Sequence, residues 1–198
     1  MEFHSYPLGP LGTNCYLLSG DGKQAVLIDP AENAPGLLRE LRRLSLGLEA
    51  IFLTHGHYDH LGAVDELVRE MGAKVYLHPA DEEILPHMGH GLLNVATQAY
   101  KTSMHVAGLD FTVYHTPGHS PGSICLQAEG LLFTGDTLFF GSCGRVDFQG
   151  GSWEKMKASL AFLAGLEGDL EVFPGHGESS TLETERKYNP YIREAMKA

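Results

Sequence analysis

The sequence is short of thiols, of positive charge and of long apolar runs. Its three cysteines, Cys15, Cys125 and Cys143, are odd in number and scattered, with no CxxC pair. That excludes a disulfide framework and a thiolate zinc site, and fits reduced thiols in a cytoplasmic setting. Fourteen Lys and Arg face 25 Asp and Glu, a formal net charge of −11, and the basic residues never gather into a stripe. Phosphate-backbone binding needs the opposite balance, so nucleic acid is not an expected partner. No run of about 18 apolar residues occurs, so no membrane-spanning helix is expected. The opening "MEFHSYPLGP" offers no basic and apolar leader, so no signal peptide is expected.

What is there is a globular composition, 43% hydrophobic and 20% charged, over 198 residues. This is enough for one compact domain, residues 1–198, as a monomer or small homo-oligomer. Strands are expected at 2–7, 14–20, 25–29, 48–54, 73–78, 109–116, 123–129, 130–136 and 170–176, from short β-branched and aromatic runs bounded by turn residues. Helices are expected at 34–45, 60–72 and 152–166, the last with Ser152 as N-cap, and as two short pieces divided at Asn189-Pro190. Residues 79–108 are less regular and read as a helix plus a loop joining two αβ halves, roughly 1–105 and 106–198. The order suggests two sheets packed together with helices outside.

Eleven histidines is a high count, and their placement matters more than their number. Residues 53–62 read "LTHGHYDHLG", with His55, His57, Asp59 and His60 crowded at a strand end. Positions i and i+2 of a strand face one way, so His55 and His57 can aim at one point. Asp59 or His60 would sit at the N-terminus of the following helix, where a carboxylate is favoured. His119 lies in the Gly/Pro-rich "PGHSPG", Asp136 ends "LLFTGD", and His176 sits in "PGHG". A carboxylate leaving an apolar strand, as Asp136 does, needs a partner or a metal. Imidazole and carboxylate without thiolate suit zinc, iron or manganese and do not choose strongly among them. His4, His78, His87, His90, His105 and His115 fall outside these motifs and read as ordinary histidines, although His87 and His90 could reach the cleft.

Together "THGHYDH", "TPGHSPGS", "FTGDTLF" and "FPGHG" resemble the metallo-β-lactamase superfamily, and within it the glyoxalase II branch, the hydroxyacylglutathione hydrolases. The resemblance covers essentially the whole chain. It implies a four-layer αβ/βα sandwich with a dinuclear centre at the sheet edges. His55, His57 and His119 would hold one divalent ion, Asp59, His60 and His176 the second, and Asp136 would bridge them. Asp29, ending "LIDP", matches an aspartate that orients a ligating histidine. Hydrolysis by a hydroxide bridging the two metals, with Asp59 and Asp136 as the carboxylates of the reaction centre, is then the expected chemistry. With that role filled, Cys143 is not an expected nucleophile.

The resemblance also implies a small-molecule, glutathione-derived thioester substrate: S-lactoylglutathione or a related acyl-thiol. Arg145, in "GSCGRVDFQGGS", and Arg193, in "NPYIR", match places where such enzymes hold the peptide carboxylates, while Asp147 stands where an aromatic is expected. Full glyoxalase II enzymes carry a further helical C-terminal domain, of which one or two helices are expected here. Two alternatives remain. The wording "CGR-DF" also occurs in persulfide dioxygenases, in which one iron would be held by His55, His119 and Asp136. A lactonase would use the same dinuclear site.

Overall fold

The computed structural model describes residues 1–83, 85 and 93–197. The chain begins with β1 (Glu2–Leu8), β2 (Thr13–Ser19) and β3 (Gln24–Ile28), then α1 (Ala34–Arg43) and β4 (Gly47–Phe52). A single 3-10 turn, Tyr58–His60, precedes α2 (Val64–Met71), β5 (Lys74–Tyr76), the short α3 (Pro79–Glu82) and β6 (Thr97–Gln98). The strands pair in the order β1-β2-β3-β4-β5-β6, antiparallel up to β3 and parallel from β3 onward.

The second sheet uses β7 (Ser103–Val106), β8 (Leu109–His115), β9 (Ile124–Ala128) and β10 (Leu131–Gly135). A small hairpin of β11 (Leu138–Phe139) and β12 (Ser142–Cys143) precedes α4 (Trp153–Ala164) and β13 (Glu171–Pro174). β14 (Ser180–Thr181), α5 (Leu182–Tyr188) and α6 (Pro190–Ala195) complete it. The strand order is β14-β13-β10-β9-β8-β7, with β10 and β13 parallel.

Side-chain alternation builds the layers, because successive residues of a strand point to opposite faces. Tyr16, Leu18, Val26, Ile28 and Phe52 point between the sheets and meet Phe111, Leu126 and Phe133. Phe52 meets Phe111 at 5.1 Å between ring centroids and Tyr16 meets Phe133 at the same distance. Their neighbours Leu17, Leu27 and Ile51 face outward onto Leu37, Leu41 and Leu67 of α1 and α2. On the far side Cys125, Leu132 and Val172 meet Met156, Leu160 and Leu163 of α4, with Leu182 and Ile192. This is the four-layer αβ/βα sandwich. Strands buried on both faces explain why the central runs read as nearly continuous apolar stretches.

Local chemistry closes the elements. Ser152 Oγ accepts the Lys155 amide at 3.3 Å, and Asn189 Oδ1 accepts the Tyr191 amide at 2.9 Å, so both expected breaks fall where a cap is available. Arg186 donates to the carbonyls of Ala164, Leu166 and Gly168, tying α5 to the end of α4.

Two expectations need correction. The helix expected at 60–72 starts only at Val64. Gly62 lies against the Ala31 carbonyl and the Ala63 amide donates to Pro30 O, which hold 61–63 as a turn. Asp59 and His60 therefore sit in the 3-10 turn and not at the α2 N-terminus. Within 79–108 the structure adds β6 and β7. β7 reaches β8 through Ala107 and Gly108, both at positive φ, and Ala-Gly is a weaker hairpin signal than Asn-Gly. His87 and His90 lie outside the described residues. Among the described residues no helix is long and apolar enough to cross a membrane.

Candidate metal centre

β3 and β4 run parallel in one sheet, and β8, β10 and β13 run alike in the other. Asp29 follows β3, residues 54–60 follow β4, and His119, Asp136 and His176 follow β8, β10 and β13. All lie just past strand ends, where α/β sheets place their ligand sites. The Thr54 carbonyl accepts the Ile124 amide at 2.9 Å and fastens the sheets together there. Two glycines permit the close approach. Gly135 has φ +47 with the Thr54 side chain against it, and a Cβ on Gly175 would run into Asp136 Oδ1 and the His60 ring.

The histidines and carboxylates draw together as His55 with His57 and His119, and as Asp59 with His60 and His176, while Asp29 groups with His55 and His60 where the two clusters meet. In the first, His57 Nδ1 is 2.7 Å from His119 Nε2, and the His55 ring centroid is 4.8 Å from each of the other two. In the second, His176 Nε2 is 3.2 Å from Asp59 Oδ2, and His60 Nε2 is 3.6 Å from the same oxygen. Asp136 stands between them. Its Oδ2 is 3.5 Å from His119 Nε2 and 3.6 Å from His176 Nε2, and its Oδ1 is 3.6 Å from His60 Nε2.

The far ring nitrogens of His55, His60, His119 and His176 are engaged, which fixes how those rings point. His119 Nδ1 donates to Arg145 O at 2.7 Å and His176 Nδ1 to Leu11 O at 3.2 Å. His60 Nδ1 donates to Asp29 Oδ2 at 2.9 Å. That oxygen also accepts the Thr54 hydroxyl at 2.6 Å, so Thr54 Oγ1 is free to accept from His55 Nδ1 at 3.1 Å. Asp29 thus orients His60 directly and His55 through Thr54. Each arrangement leaves an Nε2 lone pair at the centre.

Charge divides the clusters. Burial, with the neighbouring imidazoles, holds His55 far below the usual histidine range and takes His119 down to about 3. Burial also lowers His57. In the second cluster burial opposes the charge on His60, but Asp29 and Asp136 overcome it and raise the group to about 9. Burial likewise opposes Asp59, yet its bond with His176 and the nearby His60 bring it down to about 2. Burial pushes Asp136 up.

These side chains fit metal ions. His55 Nε2, His60 Nε2 and Asp136 Oδ1 are buried without a hydrogen-bond partner, although buried polar atoms are almost always paired. Neutral imidazoles and carboxylates are ligands for zinc, iron or manganese. The raised His60 marks negative charge that a cation would satisfy in place of the proton.

A cavity of about 640 Å³ opens onto the clusters. Its walls include Leu11, Tyr58, Phe139, Cys143, Arg145 and Phe148. Burial pushes the Cys143 thiol up to about 11, so it stays protonated near neutrality. Arg145 lines the cavity, pinned by Asp147 through two 2.6 Å hydrogen bonds and lying 4.3 Å over the Phe148 ring. The aromatic expected at Asp147 is supplied one residue later, by Phe148, whose ring is 5.1 Å from that of His57. Arg193 does not line the cavity: α6 turns Ile192 and Ala195 inward and leaves Arg193 exposed. Thr54 and Asp81 were not legible as site residues. Only the fold shows that the Thr54 hydroxyl and the Asp81 carboxylate meet the ligand segments.

The sequence profile of the Metallo-beta-lactamase superfamily matches residues 8–176, and the chain belongs to that superfamily. It is similar to hydroxyacylglutathione hydrolase GloC of Haemophilus influenzae, 32% identical over 97% of this chain and 98% of that protein. Among solved structures, TTHA1623 in a di-iron-bound form superposes with a TM-score of 0.85 at 36% identity, covering 95% of this chain and 99% of that one. ETHE1 from Myxococcus xanthus superposes with a TM-score of 0.84 at 30% identity, covering 98% and 88%.

Proposed function

We propose that the chain is a dinuclear metal-dependent hydrolase that cleaves a thioester, S-lactoylglutathione or a related acyl-thiol. The observation that carries this reading is Asp136 Oδ2, 3.5 Å from a nitrogen of one cluster and 3.6 Å from a nitrogen of the other. His55, His57 and His119 would hold one ion, Asp59, His60 and His176 the other, and Asp136 would be shared. With zinc, iron or manganese held there, these residues would present a Lewis acid able to lower the pKa of a bound water beside a carbonyl carbon.

The chain's own residues set the stage for that chemistry. Asp29 and Thr54 hold the imidazoles of His60 and His55 with their lone pairs inward. Asp59, near 2, stays ionised and turns Oδ2 towards His176 at the cavity wall. Leu11, Tyr58, Phe139 and Phe148 give the cavity apolar walls that suit an acyl group, and Arg145 is the cation in its lining, suited to a substrate carboxylate. A departing thiolate is weakly basic, so little proton donation to it is needed. The likeness to GloC supports a glutathione-derived substrate, and that to the di-iron TTHA1623 supports iron as one candidate metal. The same reading takes the protein as cytoplasmic, acting on a small molecule rather than on nucleic acid or a membrane, as a monomer or small homo-oligomer.

The test is metal content by plasma mass spectrometry beside hydrolysis of S-D-lactoylglutathione on one sample. About two ions per chain with turnover is the expected result. A second reading is a dioxygenase acting on glutathione persulfide with one iron held by His55, His119 and Asp136; it draws on the resemblance of "CGR-DF" and on the 3.5 Å between His119 Nε2 and Asp136 Oδ2. About one iron per chain with oxygen uptake would install it. Turnover of lactones but not thioesters would make the same site a lactonase.

A further inference from the structure

Asp81 is fully buried in α3, outside every motif that supplies the two clusters. Among the described residues no Lys, Arg or His forms an ion pair with its carboxylate. Instead it accepts three hydrogen bonds from two other segments. Oδ2 receives the Gly56 amide at 2.8 Å and the Ser120 hydroxyl at 2.7 Å, and Oδ1 receives the Gly122 amide at 2.5 Å. Gly56 lies between His55 and His57, and Ser120 follows His119. Every donor therefore belongs to a segment carrying the first cluster, and none adjoins Asp59, His60 or His176. The close fit is built in, since a Cβ on Gly122 would lie 2.7 Å from the Asp81 carboxyl carbon. α3 is itself anchored to the second sheet: the ring of His78, its N-cap, stacks on His115 at 4.2 Å and 10°.

Asp29 and Asp81 thus divide the work. Asp29 bonds the His60 ring itself and reaches His55 through Thr54, and Asp81 touches only the backbone and one hydroxyl of the loops that carry ligands. A buried carboxylate satisfied by donors from two separate loops fixes their spacing, because losing any one donor leaves a desolvated oxygen.

We propose that Asp81 is a positioning residue for the tri-histidine ion site alone, holding the His55–His57 segment and the His119 loop at the separation at which three imidazoles converge. The inference rests on the metal-centre reading above. It predicts that loss of Asp81 weakens one ion site and spares the other.

The experiment uses two single-site backgrounds, His176→Ala, which keeps the first cluster, and His119→Ala, which keeps the second. Cobalt(II) affinity is measured in each by visible absorption against a competing chelator, with and without Asp81→Asn. The substitution should weaken cobalt binding about 10-fold to 100-fold in the His176→Ala background, the range expected when an orienting group is lost. In the His119→Ala background the change should stay within about twofold. Ser120→Ala, which removes one of the three donors, should act in the same direction with a smaller loss, and decides the matter if Asp81→Asn does not fold. Equal losses in both backgrounds would show a merely structural residue and overturn the proposal, as would no loss in the first. If neither background binds cobalt, the metal-centre reading fails and the proposal falls with it.

Discussion

The two clusters lie side by side and share Asp136, yet they are built on different electrostatics. The His55, His57 and His119 cluster is three imidazoles kept neutral by burial and by one another. The Asp59, His60 and His176 cluster has a carboxylate of its own, and Asp59, Asp29 and Asp136 draw protons onto its histidines. One site is therefore ready to accept a cation without releasing a proton, whereas the other must give one up. Ligand identity alone does not reveal this. It follows from which carboxylates the fold brings behind each ring.

The comparison is broken most completely at the shared residue. Asp136→Ala should lower thioester turnover by more than about 100-fold, beyond the range for an outer-shell partner, and reduce bound metal below two ions per chain. Steady-state kinetics with metal analysis checks both.

pH separates the clusters next. An unfolded histidine titrates near about 6.5. His119 at about 3 is below that value when folded, so between these limits the unfolded chain holds a proton that the native one does not. Each such group makes the metal-free protein lose about 1.4 kcal/mol per pH unit as pH falls below about 6.5. His60, raised to about 9, acts the other way. Its stabilisation is complete below about 6.5 and is lost as pH rises through its folded value. Urea denaturation in chelator from pH 5 to 10 should show a maximum near neutrality. His119→Gln should flatten the acid side and His60→Gln the alkaline side.

Asp29→Asn should cost both ions about 10-fold to 100-fold in affinity, because Asp29 supports His60 directly and His55 through Thr54. Thr54→Val should affect the tri-histidine ion alone and by less, as chelator competition would report. The smallest effect belongs to Arg145→Ala. A rise in KM of about threefold to tenfold for a carboxylate-bearing thioester, with kcat unchanged, is expected, since Arg145 is exposed and its charge is shared with Asp147.

The seven central side chains were legible because metal-competent residues were crowded against turn residues at the ends of apolar runs, where core packing has no use for them. The two-sheet architecture was legible for a related reason: strands buried on both faces leave unmistakable apolar blocks. β6 and β7 were not, since two- and four-residue strands carry little pattern and exist through their neighbours. The start of α2 was misplaced because the contacts of Gly62 and Ala63 with residues 30 and 31 are tertiary. Arg193 had suitable chemistry, but the facing of a one-turn helix decided its direction. Thr54 and Asp81 carry no spacing signal at all, as a hydrogen bond across 25 or 41 residues is written only in the fold.

Each cluster draws ligands from both sheets, from residues 55–60 in the first and from His119 or His176 in the second. A chain emerging from the ribosome exposes "HGHYDH" long before the residue that completes either site. Until the His119 and His176 loops are in place, that stretch is only part of either site. Asn14, donating to the carbonyls of Pro174 and Gly177, clasps the His176 loop to the first sheet. An ion caught there works as a rivet between the halves, and its release should loosen the seam between the sheets before either sheet comes apart.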